Sequence, residues 1–193
     1  MLALTAVFVI VFLVEHFLVP STLLISPRST QWTALFGAVS WNLTTESVVI
    51  ASVSHYSFGH LLKNMWLLLI IGLLYEEHLN SSTLFLTYIL GIAWGLVLVP
   101  VSLQSLGQRA IHIGASGGLY SALSFAASVL VLRKSNIKHR ALSISILVVA
   151  IVYNTLLMHL NGIGGAEIAH LGAVFVGGTF ALATNRRSKE HHC

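Results

Sequence analysis

Apolar residues run along this chain in six blocks separated by short polar stretches. The blocks cover about residues 3–25, 57–75, 82–100, 115–132, 141–158 and 168–184. At 1.5 Å of rise per residue, about 20 apolar residues cross the roughly 30 Å of bilayer hydrocarbon. A backbone in hydrocarbon must satisfy its own hydrogen bonds, and a helix does so within a single segment. The pattern therefore predicts an all-α, polytopic membrane bundle of six transmembrane helices. Residues 1–193 read as one membrane-embedded domain, with its core at about 50–184 and a short basic tail at 185–193. The first block has neither a basic lead nor a small-residue cleavage site, so it reads as a retained span rather than a signal peptide.

Composition agrees with this class. Hydrophobic residues make up 56% of the chain and charged residues 8%, with a mean hydropathy of +0.87. Soluble domains carry about 25% charged residues. Cys193 is the single cysteine, which excludes a disulfide framework and a paired thiolate metal site.

Charge placement sets the direction of the spans. Of ten Lys and Arg, four lie within residues 133–140 and three more, Arg186, Arg187 and Lys189, follow the sixth block. Two spans separate these clusters, so both lie on one side, which the positive-inside rule makes cytoplasmic. Both termini are then cytoplasmic, and the loops before the second, fourth and sixth blocks face outward. The location of the charge explains the net +4 without a nucleic-acid partner.

Three of the blocks open with groups that do chemistry. Ser116 stands in Gly114-Ala115-Ser116-Gly117-Gly118, His170 in Ala169-His170-Leu171-Gly172, and His60 and Asn64 follow His55 at the head of the second block. Polar and ionisable groups in membrane spans are costly and mark function by default. From Ser116 to Arg133 is 17 residues, or about 26 Å of helix, and from His170 to Asn185 is 15, or about 23 Å. His60 to Glu76 is 16 residues, or about 24 Å, so all three sites fall in one layer just below the outer face. His60 and Asn64 are four apart and share a helix face. Ala173, Gly177 and Ala181 continue the face of His170, while Gly117, Ser121, Ser124 and Ser128 form a stripe beside Ser116. Small residues at such spacing let membrane helices approach closely, as a Ser–His hydrogen bond requires. A serine, a base and amide donors at one depth are the parts of a serine hydrolase working inside the membrane.

At these residues the chain resembles the rhomboid intramembrane serine proteases of the compact six-span type. The resemblance rests on His55, His60 and Asn64 in the second block, Gly114-Ala115-Ser116-Gly117 in the fourth, and Ala169-His170 in the sixth. It implies a Ser116–His170 catalytic dyad and an oxyanion site made by Asn64, His60 and the Ser116 backbone N–H. It also implies that Tyr120 packs on the histidine, with Gly114, Gly117 and His55 in support. The expected activity is endoproteolysis in or near transmembrane segments of membrane-protein substrates, with membrane lipid as surroundings and no cofactor or metal. The expected location is a prokaryotic plasma membrane, with the site opening to the outer side. The chain departs from many relatives in the first outer loop, where Trp41 is followed by Asn42 rather than Arg.

Competing readings fall on particular residues. The chain contains no Asp, and Glu167 is the sole acidic residue between Ser116 and His170, which makes a dyad more economical than a triad. The Gly114–Gly118 stretch also fits a G-x-S-x-G elbow, but that motif needs a strand before it. His112 reads as an outer-loop residue, Lys63 as a snorkelling cation, and His191-His192-Cys193 as an incomplete metal cluster. A transporter would need inverted repeats and charges along a path, and neither is present. The remaining alternative is an inactive relative that binds or chaperones membrane clients, which would have no need to keep both Ser116 and His170.

Overall fold

The computed structural model describes residues 2–14, 17, 49, 51–55, 57–75, 79–99, 101–102, 115–133, 137–161 and 165–190. Among these the regular structure is helical, with no strand. The helices are α1 (Leu2–Leu13), α2 (Phe58–Tyr75), α3 (Ser81–Ala93), α4 (Ser116–Leu132), α5 (Ile137–Asn161) and α6 (Gly165–Glu190). α3 runs on into a π-helical turn, Trp94–Leu98.

Each predicted apolar block coincides with a helix, but the ends differ. α5 and α6 extend past their apolar blocks in both directions. Hydropathy marks the stretch that prefers hydrocarbon, whereas backbone hydrogen bonding continues through polar residues until something ends it. Ser81–Leu98 and Ala166–Asn185 are long and apolar enough to cross a bilayer by themselves, and the other four helices carry shorter apolar stretches. In the first block the helix is described to Leu13, and Glu15, His16 and Pro20 lie outside the described residues. So do Arg28, Trp32, Trp41 and Asn42 of the first outer loop.

Burial follows helical period. In α2 the buried residues are Leu61, Asn64, Leu68, Ile71 and Tyr75, an i, i+3, i+4 stripe, while Leu62, Lys63, Trp66, Leu69 and Leu73 face outward. Asn64 is the one polar member of that stripe. α4 is buried nearly all round, from Gly117 to Ala127 with Tyr120 as the interruption, and α3, α5, α6 and α2 all pack on it. A helix hydrophobic on every side belongs at the centre of a bundle.

Two caps set helix starts at the two ends of the bundle. The Ser57 hydroxyl accepts the His60 N–H at 3.1 Å, and its carbonyl accepts the Leu61 N–H at 3.0 Å, so Ser57 caps α2. At the opposite side of the bundle Asn80 caps α3, its side chain accepting from the Ser82 N–H at 2.8 Å.

Candidate active site

Ser116 is the first residue of α4 and His170 lies in the second turn of α6. α4 and α6 run parallel, because Ser116 meets His170, Ser124 meets Val174 and Phe125 meets Phe180. Small residues let the axes come close. Gly177 sits directly on the Ser121 carbonyl and the Phe125 amide, where any side chain would collide with backbone. On the other flank of α4, a Cβ on Gly117 would come within 2.9 Å of the Gly91 carbonyl oxygen of α3.

This approach brings Ser116 Oγ within 2.7 Å of His170 Nε2. With the imidazole neutral and protonated at Nδ1, the serine hydroxyl donates to Nε2. Tyr120, one turn along α4 from Ser116, stacks on the His170 ring with centroids 4.6 Å apart and planes 10° from parallel. The stack fixes the plane of the imidazole, and the hydrogen bond fixes its rotation. Ser116 also opens the first turn of α4, where the N–H groups ahead of Leu119 have no intrahelical acceptor. Those donors and the positive end of the helix dipole favour an anion at this point.

The second polar group is built by His55, His60 and Asn64. Asn64 is 4% exposed and His55 is fully buried. Buried polar groups need partners, and here they supply one another. His55 Nδ1 lies 3.1 Å from the Val53 carbonyl. A carbonyl can only accept, so Nδ1 carries the proton and donates. In the neutral ring Nε2 is then the acceptor. Asn64 Nδ2 donates to it at 2.9 Å and reaches His60 Nε2 at 3.3 Å. The Val53 carbonyl thus fixes the tautomer of His55, and His55 fixes which way the Asn64 amide points. The His55 and His60 rings meet edge-on at 5.1 Å, with Phe8 of α1 at 5.4 Å from His55. His60 lies within electrostatic reach of His170, which joins this group to the serine–histidine pair.

Of the residues singled out in the sequence, Ser116, His170 and Tyr120 come together, as do His55, His60 and Asn64, and Gly117 lines the contact with α3. Gly114 and His112 lie outside the described residues, as do residues 162–164 of the loop before α6. Glu167 is in the first turn of α6, where its charge complements the helix dipole. Lys63 is exposed on α2. Among the described residues, no three His, Cys, Asp or Glu side chains group as a metal site. Sequence reasoning missed Ser57, whose signature was a serine three residues before His60 at the head of an apolar run. It also missed Gly91 and Gly95, small residues on a span with no polar motif to draw attention to it.

The family model of the Rhomboid domain matches residues 38–187. The chain belongs to the rhomboid family. As a rhomboid it is a membrane protein, in a family made up mostly of serine intramembrane proteases together with inactive members. The matched range of the rhomboid domain holds both polar groups and runs from ahead of α2 well into α6. No individual curated protein matches the chain.

Proposed function

We propose that this rhomboid is an intramembrane serine endopeptidase acting in or near the transmembrane segments of membrane-protein substrates. The observation that carries the reading is the 2.7 Å contact between Ser116 Oγ and His170 Nε2, held by the Tyr120 stack. A serine hydroxyl is a weak nucleophile until a base removes its proton. His170 takes that proton as Ser116 Oγ attacks the scissile carbonyl, and then gives it to the leaving amine. Water releases the acyl-enzyme with His170 again acting as base. Asn64, His60 and the Ser116 N–H stabilise the oxyanion, an effect that grows where water is scarce. His55 and Gly117 act as positioning residues, and Gly114 is assigned the same role by its place in the motif.

In this reading the domain spans residues 1–193 and crosses the membrane six times. Both termini are cytoplasmic in a prokaryotic plasma membrane, and the site opens outward. No metal or cofactor takes part.

The test uses purified protein in liposomes with a single-span substrate whose helix contains small or helix-breaking residues. Ser116→Ala and His170→Ala should each abolish cleavage, and the double variant should be no worse than either single, because the two act as a unit. A fluorophosphonate should label Ser116 only when His170 is present. Cleavage surviving in Ser116→Ala would overturn the mechanism. Substrate capture by wild type with neither cleavage nor labelling would instead identify a client-binding relative.

A further inference from the structure

Beside the α4–α6 seam, on the flank facing α5, the bundle leaves a cleft of about 450 Å³. That is within the roughly 300–1,000 Å³ typical of ligand sites. The floor is small: Ser124, Ala127 and Ser128 of α4 and Gly178 of α6. Gly178 differs from its neighbour Gly177. A Cβ at 178 would rest in ordinary contact, 3.5 Å from Ser124 Oγ and 3.9 Å from Ser128 Oγ, so helix packing does not require glycine there. What glycine does at 178 is leave the floor of the cleft without a side chain.

The walls are apolar, and two of the three hydroxyls near the cleft are turned inward. Ser124 Oγ donates to the Val174 carbonyl at 2.7 Å, and Thr179 Oγ1 donates to the Phe175 and Val176 carbonyls at 3.0 Å. Rim residues Val131, Ile144, Phe175 and Leu182 are exposed. The cleft runs from Ser124 to Leu132 on α4 and from Val174 to Leu182 on α6, about 12 Å of each helix. It therefore occupies the half of the bundle away from Ser116 and His170.

Its far end is basic. Leu132 on the wall is followed directly by Arg133 at the end of α4. Arg140, Ile144 and Leu147 lie on one face of α5 at i, i+4 and i+7, so a half-buried Arg140 sits one turn beyond the wall residue Ile144. Lys134 and Lys138 lie in the same eight residues of sequence. Basic groups at the cytoplasmic end of an apolar cleft between membrane helices are the pairing that recognises an anionic lipid.

We infer that this cleft binds one acyl chain of an anionic glycerophospholipid from the inner leaflet, with its phosphate held by Arg133 and Arg140. The inference rests on the proposed membrane orientation, in which residues 133–140 face the cytoplasm, but not on proteolysis. Bound lipid fills the gap that separates α5 from α4 and α6, and so braces the inner half of the bundle.

The probe is a phospholipid with a diazirine in its acyl chain, present in trace amounts in phosphatidylcholine vesicles holding the full chain. A phosphatidylglycerol probe should crosslink to Ile144, Leu147, Val131 or Leu182, and excess unlabelled phosphatidylglycerol should compete where phosphatidylcholine does not. Gly178→Leu should abolish that crosslink. Arg133→Gln and Arg140→Gln should each weaken competition by about fivefold, the effect of one basic residue near a charged surface. Thermal unfolding in detergent should match wild type in all three variants and report that they fold; the Arg→Gln pair keeps the test open if Gly178→Leu does not. Equal crosslinking by the two headgroups, or crosslinks indifferent to these variants, would overturn the site. Crosslinks from the cleft to a second copy of the chain would replace it with a dimer contact. Absence of cleavage with these crosslinks intact would count against the protease reading alone.

Discussion

α3 and α5 flank the same pair of helices and pack against it in opposite ways. On the α3 side, Gly91 and Gly117 bring backbones into direct contact, Tyr88 lies over Gly118, and the π-helical turn carries Gly95 to within reach of Gly117 and Ala169. A π turn changes the helical phase by inserting a residue, which lets α3 face α4 and α6 together beside Ser116 and His170. On the α5 side a cleft remains, and among the described side chains of α5 Ser143 is buried, Ile146, Leu147 and Ala150 are half-buried, and Val148, Val149, Val152, Leu156 and Leu160 are exposed. Small residues occur on both flanks. What differs is whether a backbone or a void lies opposite them. In lipid, apolar burial supplies little drive between helices, so close van der Waals contact is the main source of cohesion. The α3 flank therefore holds the site, and the α5 flank is where the bundle can yield.

The largest break in this contrast should come from Gly91→Leu. Its side chain would run into the Gly117 carbonyl and the Ser121 side chain. Overpacking costs about 1–3 kcal/mol where side chains can move; against backbone the cost should be higher. Loss of the folded protein in detergent, read by thermal unfolding and by fluorophosphonate labelling, is the expected outcome. A variant that unfolds like wild type would remove the α3 flank from its holding role.

Asn64→Ala comes next, since it removes a donor from the site that the α3 flank holds. Turnover should fall by on the order of 10²–10³, measured as kcat with the helix-unstable substrate. His55→Phe should act through the same amide by releasing its orientation, lowering kcat by about tenfold, with KM little changed. A loss confined to KM in either variant would place these residues in substrate binding instead.

Adjacent glycines give the finest comparison. Gly177→Ala meets backbone and should lower stability by about 1–3 kcal/mol. Gly178→Ala meets only the Ser124 and Ser128 hydroxyls at ordinary contact distance and should raise it by up to about 1 kcal/mol, because alanine loses less chain entropy in a helix. Unfolding midpoints of the two single variants, measured side by side, check the opposite signs. Equal destabilisation would mean that the α5 flank is as tightly packed as the α4–α6 seam.

Much of this arrangement was legible in the sequence because the membrane imposes few solutions. Apolar length marked each helix, and similar distances from charged ends led to the expectation of Ser116, His170 and His60 in one layer. Helical spacing matched Asn64 to His60 and aligned Ala173, Gly177 and Ala181, all three of which are buried on α6. The tautomer of His55 could not be read, since it depends on the Val53 carbonyl, a backbone group that carries no sequence signal. Nor could the π turn, because Trp94–Leu98 has the same apolar character as the α-helix before it. Ser128 belonged to the small-residue stripe by spacing, yet it lines the cleft rather than the seam. Spacing reports which face a residue shares, but not what stands across from it.

The Asn64 amide has a consequence for how a substrate would arrive. At rest Nδ2 lies 2.9 Å from His55 Nε2 and 3.3 Å from His60 Nε2, so both of its hydrogens are engaged when His60 Nε2 carries no proton. On the proposed mechanism an incoming carbonyl finds no idle donor on this side chain and must win one by exchange. The longer bond, to His60, is the one surrendered, while the shorter bond keeps the amide tethered. A neutral carbonyl gains little by this trade, since the two hydrogen bonds are of similar strength. A developing oxyanion gains more, because charge-assisted bonds are roughly twice as strong. On that mechanism the resting site discriminates by timing: it would decline the substrate's ground state and yield its donor only as negative charge appears.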